Sequence, residues 1–379
     1  MRNIFHAWIS NYKNVVISIL SLIILLLLYF RQPNVVYMMD KSSNKVILPF
    51  GSGKRHDMGE CKPIYGKVGV FVAFRKAQYD TKYKIAQDTL HCYLKGTNYE
   101  AFFVEIFDDP EVQKHCHHEE IFFLKHCAAS VYLKKVDWLL VLDADTMVAN
   151  PNHCIEEYID ERVNVILYNR FFNHEIMSAN YLVKNTQFGH DFLMGWADYQ
   201  YKKPNSFNAA DNGALHIHVL ETVLPQAKPE IATCLEMWGE GKDYDEYLAY
   251  VHCVRYMLGA NRLFPGKIRI LKRGLGMARD GFLAVDKFCD NDFMFHGHKQ
   301  NEIGEGGWES PFERPVNVSQ CGAHYEGWYW RNNKRVACTE VQQHLRSFES
   351  GYDAPNVSRV IPFLDRNDVG QCWPYCDFN

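Results

Sequence analysis

The sequence contains no Cys-x-x-Cys pair, which removes the usual signature of a thioredoxin-like redox site and of a zinc ribbon. It has no long basic run either, since 41 Lys and Arg stand against 45 Asp and Glu, for a formal net charge of −4. Duplex binding needs clustered cations, so no nucleic-acid partner is expected. Internal repeats and low-complexity tracts are lacking, which argues against a solenoid. Cysteine is missing from the N-terminal stretch, and all 12 lie between Cys61 and Cys376. With 47% hydrophobic and 23% charged residues over 379 positions, the chain has ample material for a core and one or two domains.

What is present begins with Val15–Phe30, a charge-free apolar run bracketed by Lys13 and Arg31. It reads as a membrane segment or a signal-peptide core. Tyr29-Phe30-Arg31-Gln32-Pro33 offers no small residues for signal peptidase, which favours an uncleaved anchor. As a helix this run would rise roughly 24 Å, a match for the thinner early secretory membranes. Charge bias barely orients it, but an even number of cysteines beyond it suits an oxidising lumen. The sequons Asn317-Val318-Ser319 and Asn356-Val357-Ser358 lie on the same side. The expectation is a single-pass type II protein of the Golgi or ER: a cytosolic tail over 1–14, an anchor over 15–30, a stem over 31–60, a catalytic domain over 61–303 and a Cys- and Trp-rich cap over 304–379. The stem reading follows from Pro33, Ser42, Ser43, Gly51, Ser52 and Gly53 without sustained periodicity.

The most informative stretch is Val136–Pro151, VDWLLVLDADTMVANP. Five consecutive apolar residues, Trp138–Leu142, suit a strand buried on both faces, and Asp143-Ala144-Asp145 follows directly. Two carboxylates at the C-terminal edge of an α/β sheet stand where such sheets bind ligands. Hard cations such as Mg²⁺ or Mn²⁺ take oxygen ligands and share them with substrate phosphates. Asp243-Tyr244-Asp245 and Asp290-Asn291-Asp292 repeat the spacing without a comparable strand, and helix capping or solvation accounts for them.

Around this run the pattern alternates. Lys67–Phe74 and Ala101–Ile106 read as strands, Tyr83–Leu94 and Ile121–Lys134 as helices, and Val163–Tyr168 as a further strand after a short helix. Alternation of this kind predicts an α/β fold, a mostly parallel sheet with helices on both faces. His216-x-His218 is expected on one face of a strand. His115-Cys116-His117-His118 lacks a second ligand pair at zinc-finger spacing, so a structural role is expected. Trp308, Trp328 and Trp330 are read as packing in the cap, with stacking on acceptor sugars as the alternative.

With the strand, the Asp-x-Asp and the anchor in place, the chain resembles Golgi glycosyltransferases of the GT-A fold. The resemblance is to the yeast alpha-galactosyl- and alpha-mannosyltransferases, the plant xyloglucan xylosyltransferases and a nematode family of uncharacterised relatives. Four segments between roughly 67 and 300 carry it: Val68–Glu100, Trp138–Pro151, Ser178–Asp198 with Asp211-Asn212-Gly213-Ala214-Leu215, and Phe293–Lys299. The resemblance implies that Asp143 and Asp145 hold a divalent metal bridging the donor diphosphate. It further implies donor contacts from Phe71, Ala73, Asn180 and Asn212, a carboxylate beside the sugar at Asp211, and a late His completing the metal shell. The alternative for Asp211 is a helix N-cap. In Phe293-Met294-Phe295-His296-Gly297-His298-Lys299 the glycine directly follows His296, so His296 or His298 could be the ligand; His296 is preferred, with Lys299 on phosphate. The implied activity is a retaining transfer of a hexose or pentose from a nucleotide diphosphate sugar to a glycan or glycoprotein acceptor, with Mn²⁺ or Mg²⁺.

Two rivals remain at this point. A haloacid dehalogenase-type phosphatase also places Asp-x-Asp after an apolar strand, but wants Thr two residues beyond the second Asp, whereas Thr146 is adjacent. A catalytically silent lumenal lectin or scaffold would keep the fold.

Overall fold

The computed structural model describes residues 61–352, apart from 172, 307 and 323. The Val15–Phe30 run, the stem, the Asn356 sequon, Cys372 and Cys376 lie outside the described residues. Among the described residues no helix is long and apolar enough to cross a membrane.

Ten strands are formed among the described residues: β1 Val68–Phe74, β2 Glu100–Glu105, β3 Trp138–Leu142, β4 Met147–Val148, β5 Val165–Tyr168, β6 Tyr181–Lys184, β7 Leu263–Phe264, β8 Ile268–Leu271, β9 Ala278–Asp280 and β10 Met294–His296. The main helices are α1 Lys84–Lys95, α2 Pro110–His115, α3 Ile121–Leu133, α4 Gln187–Ala197, α5 Ala210–Val223, α6 Lys228–Glu240, α7 Tyr244–Leu258 and α8 Cys338–Tyr352. Seven strands form one sheet in the order β2-β1-β3-β6-β5-β8-β7, and β4-β10-β9 form a second, small sheet. In the large sheet β2, β1, β3, β5 and β8 run one way, while β6 and β7 are reversed. The sheet is therefore mostly parallel, and mixed: β6, lodged between β3 and β5, pairs antiparallel with both.

Side-chain alternation divides the strands between two cores. Phe71 and Ala73 of β1 with Leu139 and Val141 of β3 face α3, α4, α5 and α7; Val70 and Val72 with Leu140 and Leu142 face α1 and the small sheet. Both faces are covered, which is why β3 is an unbroken apolar run. Helix α3 is buried almost all round, and within it stand Lys125 and His126. The π-helical turn Tyr79–Tyr83, a geometry that often marks functional sites, leads into α1.

The segment after residue 304 has no separate core over most of its length. Phe312, Val316 and Trp328 join the β1–β3 core, Trp328 stacks on Trp330 at 5.1 Å, and Trp330 donates to the Ala149 carbonyl at 3.0 Å. Its cysteines reach outward: Cys92 pairs with Cys321 and Cys289 with Cys338. Further bridges join Cys61 to Cys154, Cys116 to Cys127 and Cys234 to Cys253. Cys116 is thus oxidised, and the His115–His118 stretch has no thiolate for zinc.

His216 and His218 do not lie on a strand. They belong to α5, where His216 Nδ1 meets the Asn212 carbonyl at 2.7 Å and His218 Nε2 the Phe192 carbonyl at 2.8 Å. Burial pushes His126, His216 and His218 down to about 4 and His298 to about 3. These imidazoles stay neutral in the fold and would take up protons on unfolding below about pH 6.5. Asp286, pushed up by burial to about 6, opposes them with a single proton. Stability should fall as pH drops from 6.5 to 4, by on the order of 2–4 kcal/mol per pH unit near pH 5. Thermal melts of the metal-free protein at pH 7 and pH 5 check this; an unchanged melting temperature would contradict it.

Candidate metal and donor site

Strand β3 ends at Leu142 beside β1 in the middle of the sheet, and the chain turns at once, with the Thr146 amide donating to the Asp143 carbonyl at 3.0 Å. Asn180, fully buried, holds this turn from behind: its Oδ1 accepts from the Asp143 amide at 3.3 Å and the Thr146 hydroxyl at 2.8 Å, and its Nδ2 donates to the Tyr168 hydroxyl at 3.1 Å. Gln87 of α1 donates to the Ala144 carbonyl at 2.6 Å, and the His298 amide to the Asp145 carbonyl at 2.8 Å. The backbone between the two carboxylates is fixed from three sides.

β4 leaves this turn and pairs antiparallel with β10, Phe295 opposite Met147, which delivers His296 to the carboxylates. His296 Nε2 lies 3.5 Å from Asp145 Oδ1 and 3.9 Å from Asp143 Oδ2. One ligand atom from each of Asp143, Asp145 and His296 falls within 4.8 Å of the others. Cys61, Cys154 and Glu156 also cluster within that span, but the two cysteines form a disulfide. His298, by contrast, is fully buried against Trp308 with neither ring nitrogen hydrogen-bonded.

Charge is concentrated here. Burial alone would raise Asp143, but the Lys125 ammonium and His296 hold it well below the usual carboxylate range. Burial would lower His296, yet Asp145, Asp143 and Asp280 together lift it to about 9. Asp145 Oδ1 is buried and accepts no hydrogen bond, although it faces His296. An orphaned carboxylate oxygen beside a second carboxylate and an imidazole is a donor set that fits a divalent cation, and the nitrogen suits Mn²⁺ better than Mg²⁺.

The carboxylates open on a cavity of about 490 Å³, a size suited to a small-molecule ligand. Arg75, Lys82, Lys125 and Lys299 bring cationic side chains to its wall, and Phe74, Tyr83 and Phe122 bring rings. Phe122 is 52% exposed. Lys299 Nζ lies 3.7 Å from Asp145 Oδ2 and 3.2 Å from Glu302 Oε1. Two carboxylates flanked by four cations suit an anionic ligand bound through a metal.

Lys125 leads inward. Its Nζ donates to Asp143 Oδ1 at 2.8 Å and to Asp211 Oδ2 at 3.2 Å, and Asp211 also meets His126 Nε2 at 3.2 Å. His126 is neutral at pH 7; with Nε2 donating to Asp211, its Nδ1 accepts from the Tyr181 hydroxyl at 2.8 Å. Asp211 is not a helix cap: Ala209 is the N-cap residue of α5, and Asp211 lies in the first turn. Ala209 and Ala210 there have φ of 53° and 49°, a left-handed conformation that costs energy for residues with a Cβ and clusters at functional sites. Gly213 relieves the same turn, since a Cβ would come within 2.0 Å of the Asn208 carbonyl.

Of the residues singled out in the sequence, Asp143, Asp145, His296 and Lys299 meet at one point, and Ala73 lines the cavity beside them. Asp211 is reached through Lys125. The Phe71 side chain does not line the cavity; it is fully buried against Tyr132 with ring centroids 5.5 Å apart. Asn180 braces the turn, and Asn212 accepts from the Ser178 hydroxyl. The other aspartate pairs serve structure: Asp243 caps α7, accepting from the Glu246 amide at 2.9 Å, while Asp292 grips Arg279 and Asp290 grips Arg335. Residues not foreseen are Lys125, His126, Asp280, Arg170 and the cavity residues Arg75, Lys82, Tyr83 and Phe122. A Lys-His pair inside an apolar helix was a visible signal for the first two.

The chain is similar to a glycosyltransferase involved in the glycosylation of the major capsid of PBCV-1, at 12% identity and a TM-score of 0.30, covering 61% of this chain and 93% of that one. It is also similar to the mannosyltransferase PcManGT from Pyrobaculum calidifontis in complex with GDP-Man and Mn²⁺, at 12% identity and a TM-score of 0.27, covering 62% of this chain and 80% of that one. No curated protein matches the sequence. Residues 90–307, more than half of the chain and inclusive of Asp143, Asp145, Asp211 and His296, match a family model, and the chain therefore belongs to the family described as "Protein of unknown function, DUF273".

Proposed function

We propose that the protein is a divalent-metal-dependent glycosyltransferase that moves a hexose or pentose from a nucleotide diphosphate sugar to a glycan or glycoprotein acceptor. The observation that carries this reading is the meeting of Asp143, Asp145 and His296 at the end of β3, on the rim of a cavity walled by cations. In this reading these three residues hold Mn²⁺ or Mg²⁺. When bound, the cation supplies Lewis-acid neutralisation of the charge that develops on a departing nucleoside diphosphate. Lys299, Arg75 and Lys82 line the same cavity and would hold the diphosphate. Lys125 keeps Asp143 ionised and oriented, and ties it to Asp211, the carboxylate assigned to the sugar's surroundings. Retention of anomeric configuration is part of the proposal and rests on the resemblance of the sequence motifs alone.

We place the enzyme in the Golgi or ER, on the lumenal side of an anchor at Val15–Phe30. Five disulfides among the described residues support an oxidising compartment.

The test is a panel of nucleotide sugars incubated with the full chain and Mn²⁺, scored for free nucleoside diphosphate. One donor should release it, the release should stop with a chelator, and an acceptor glycan should accelerate it. Inorganic phosphate from a simple phosphomonoester, with no nucleoside diphosphate released, would point to the phosphatase. Donor binding without release from any member of the panel would point to a silent lectin or scaffold.

A further inference from the structure

We propose that Asp280 and Arg170 are positioning residues that fix the ring of His296 so that its Nε2 is the metal-facing nitrogen; this inference rests on the metal-dependent reading above. The juxtaposition is built into the small sheet. β9 and β10 pair in parallel with Asp280 opposite His296, and paired positions of neighbouring strands project to the same face. Asp280 Oδ1 lies 3.2 Å from His296 Nδ1. A carboxylate there keeps the proton on Nδ1, so the nitrogen whose proton a cation would displace is Nε2, the one that faces Asp145 and Asp143.

Asp280 is itself held. It is 3% exposed, and Arg170 grips it in a fork, Nε to Oδ2 at 3.0 Å and Nη2 to Oδ1 at 2.9 Å. Arg170 Nη1 continues to Glu175 Oε2 at 3.2 Å, and Glu175 Oε1 accepts from the Tyr247 hydroxyl of α7 at 2.6 Å. The line His296–Asp280–Arg170–Glu175–Tyr247 thus ties one ligand to a core helix. Asp280 stays outside the group of prospective ligands, and its oxygens are already shared between the guanidinium and the imidazole. The alternative is a plain buried ion pair between Arg170 and Asp280, which would stabilise the fold without acting through His296.

Calorimetric titration of the full chain with Mn²⁺ alone and with Mg²⁺ alone separates the two. Asp280→Asn should weaken Mn²⁺ about tenfold, the lower end of what losing such a partner costs. Mg²⁺, which relies on oxygen ligands, should lose less than about threefold. In a His296→Ala background Asp280→Asn should change Mn²⁺ affinity by less than about twofold, because Asp280 acts through the ring that is gone. Equal losses in both backgrounds, or no loss in the wild type, would overturn the inference while leaving the metal site intact. Should Asp280→Asn fail to fold, Arg170→Gln runs the same cycle with the same expectations. If His296→Ala and Asp145→Asn both leave Mn²⁺ affinity unchanged, the metal reading itself fails, and this inference with it.

Discussion

Asp145→Asn should abolish Mn²⁺-dependent binding of nucleoside diphosphate, weakening it by at least about 100-fold, or about 3 kcal/mol, while the fold survives. The substitution keeps the shape of the side chain and removes one of the two negative charges that face the cation. Asp145 Oδ1 accepts no hydrogen bond, and the carboxylate faces His296 at 3.5 Å and Lys299 at 3.7 Å, while the backbone of the turn is held by other groups. Stability should move less than binding does, because the substitution weakens two ion pairs and breaks no hydrogen bond of the Oδ1 atom. The double substitution Asp243→Asn and Asp245→Asn is the control. Asn caps a helix about as well as Asp, so α7 should hold and nucleotide binding should be unchanged. Calorimetry with Mn²⁺ and nucleoside diphosphate reads both. The reverse pattern, loss in the control and none at Asp145, would move the site to α7.

Lys125→Met should cost about 3 kcal/mol of stability, the lower end of what an unpaired buried charge costs, because Asp211 is buried while Asp143 opens on the cavity. The ammonium is buried in α3 and holds Asp143 and Asp211 at once; burial alone would lower its proton affinity, but those two carboxylates raise it above the ordinary lysine value. Its proton is therefore secure at every pH the protein would meet, and the loss should show at neutral pH. In the variant Asp211 keeps only His126, whose imidazole is neutral. A metal near Asp143 would restore part of the missing positive charge, so Mn²⁺ should raise the melting temperature of Lys125→Met more than that of the wild type. Lys299→Met is the contrast: its side chain is a quarter exposed and its partners are at the rim, so it should weaken nucleotide binding and leave stability almost untouched. Thermal melts with and without Mn²⁺ decide. A Lys125→Met protein as stable as the wild type would show that Asp143 and Asp211 need no cation there.

Much of the frame was legible because it depends on local pattern. An apolar run flanked by carboxylates gave β3 and the turn after it, and 3.6-residue periodicity gave α1 and α3 within a residue or two of their ends. What escaped depends on long-range pairing. β6 is reversed because it returns between β3 and β5, a placement that its four residues do not encode. His216 and His218 were read with a two-residue period in a segment that is helical, and burial on α5 overrode that pattern. The sequence left both histidines around Gly297 open as ligands with His296 preferred; the pairing of Phe295 with Met147 brings His296 to the carboxylates, and His298 is buried under Trp308. Asp280 and Arg170 carried no sequence signal, since their contact with His296 requires β9 to pair with β10. Cysteine pairing is equally long-range: Cys321 and Cys338 of the C-terminal segment reach back to Cys92 and Cys289.

The central claim is that Asp143, Asp145 and His296 form a divalent-metal centre. Anomalous diffraction at the manganese edge, from crystals grown with Mn²⁺ and nucleoside diphosphate, tests it most directly. A single manganese peak among Asp145 Oδ1, Asp143 Oδ2 and His296 Nε2, with the diphosphate in the cavity beside Lys299, is the predicted result. A peak at another acidic cluster, or nucleotide bound in the cavity with no manganese beside these three residues, would contradict it.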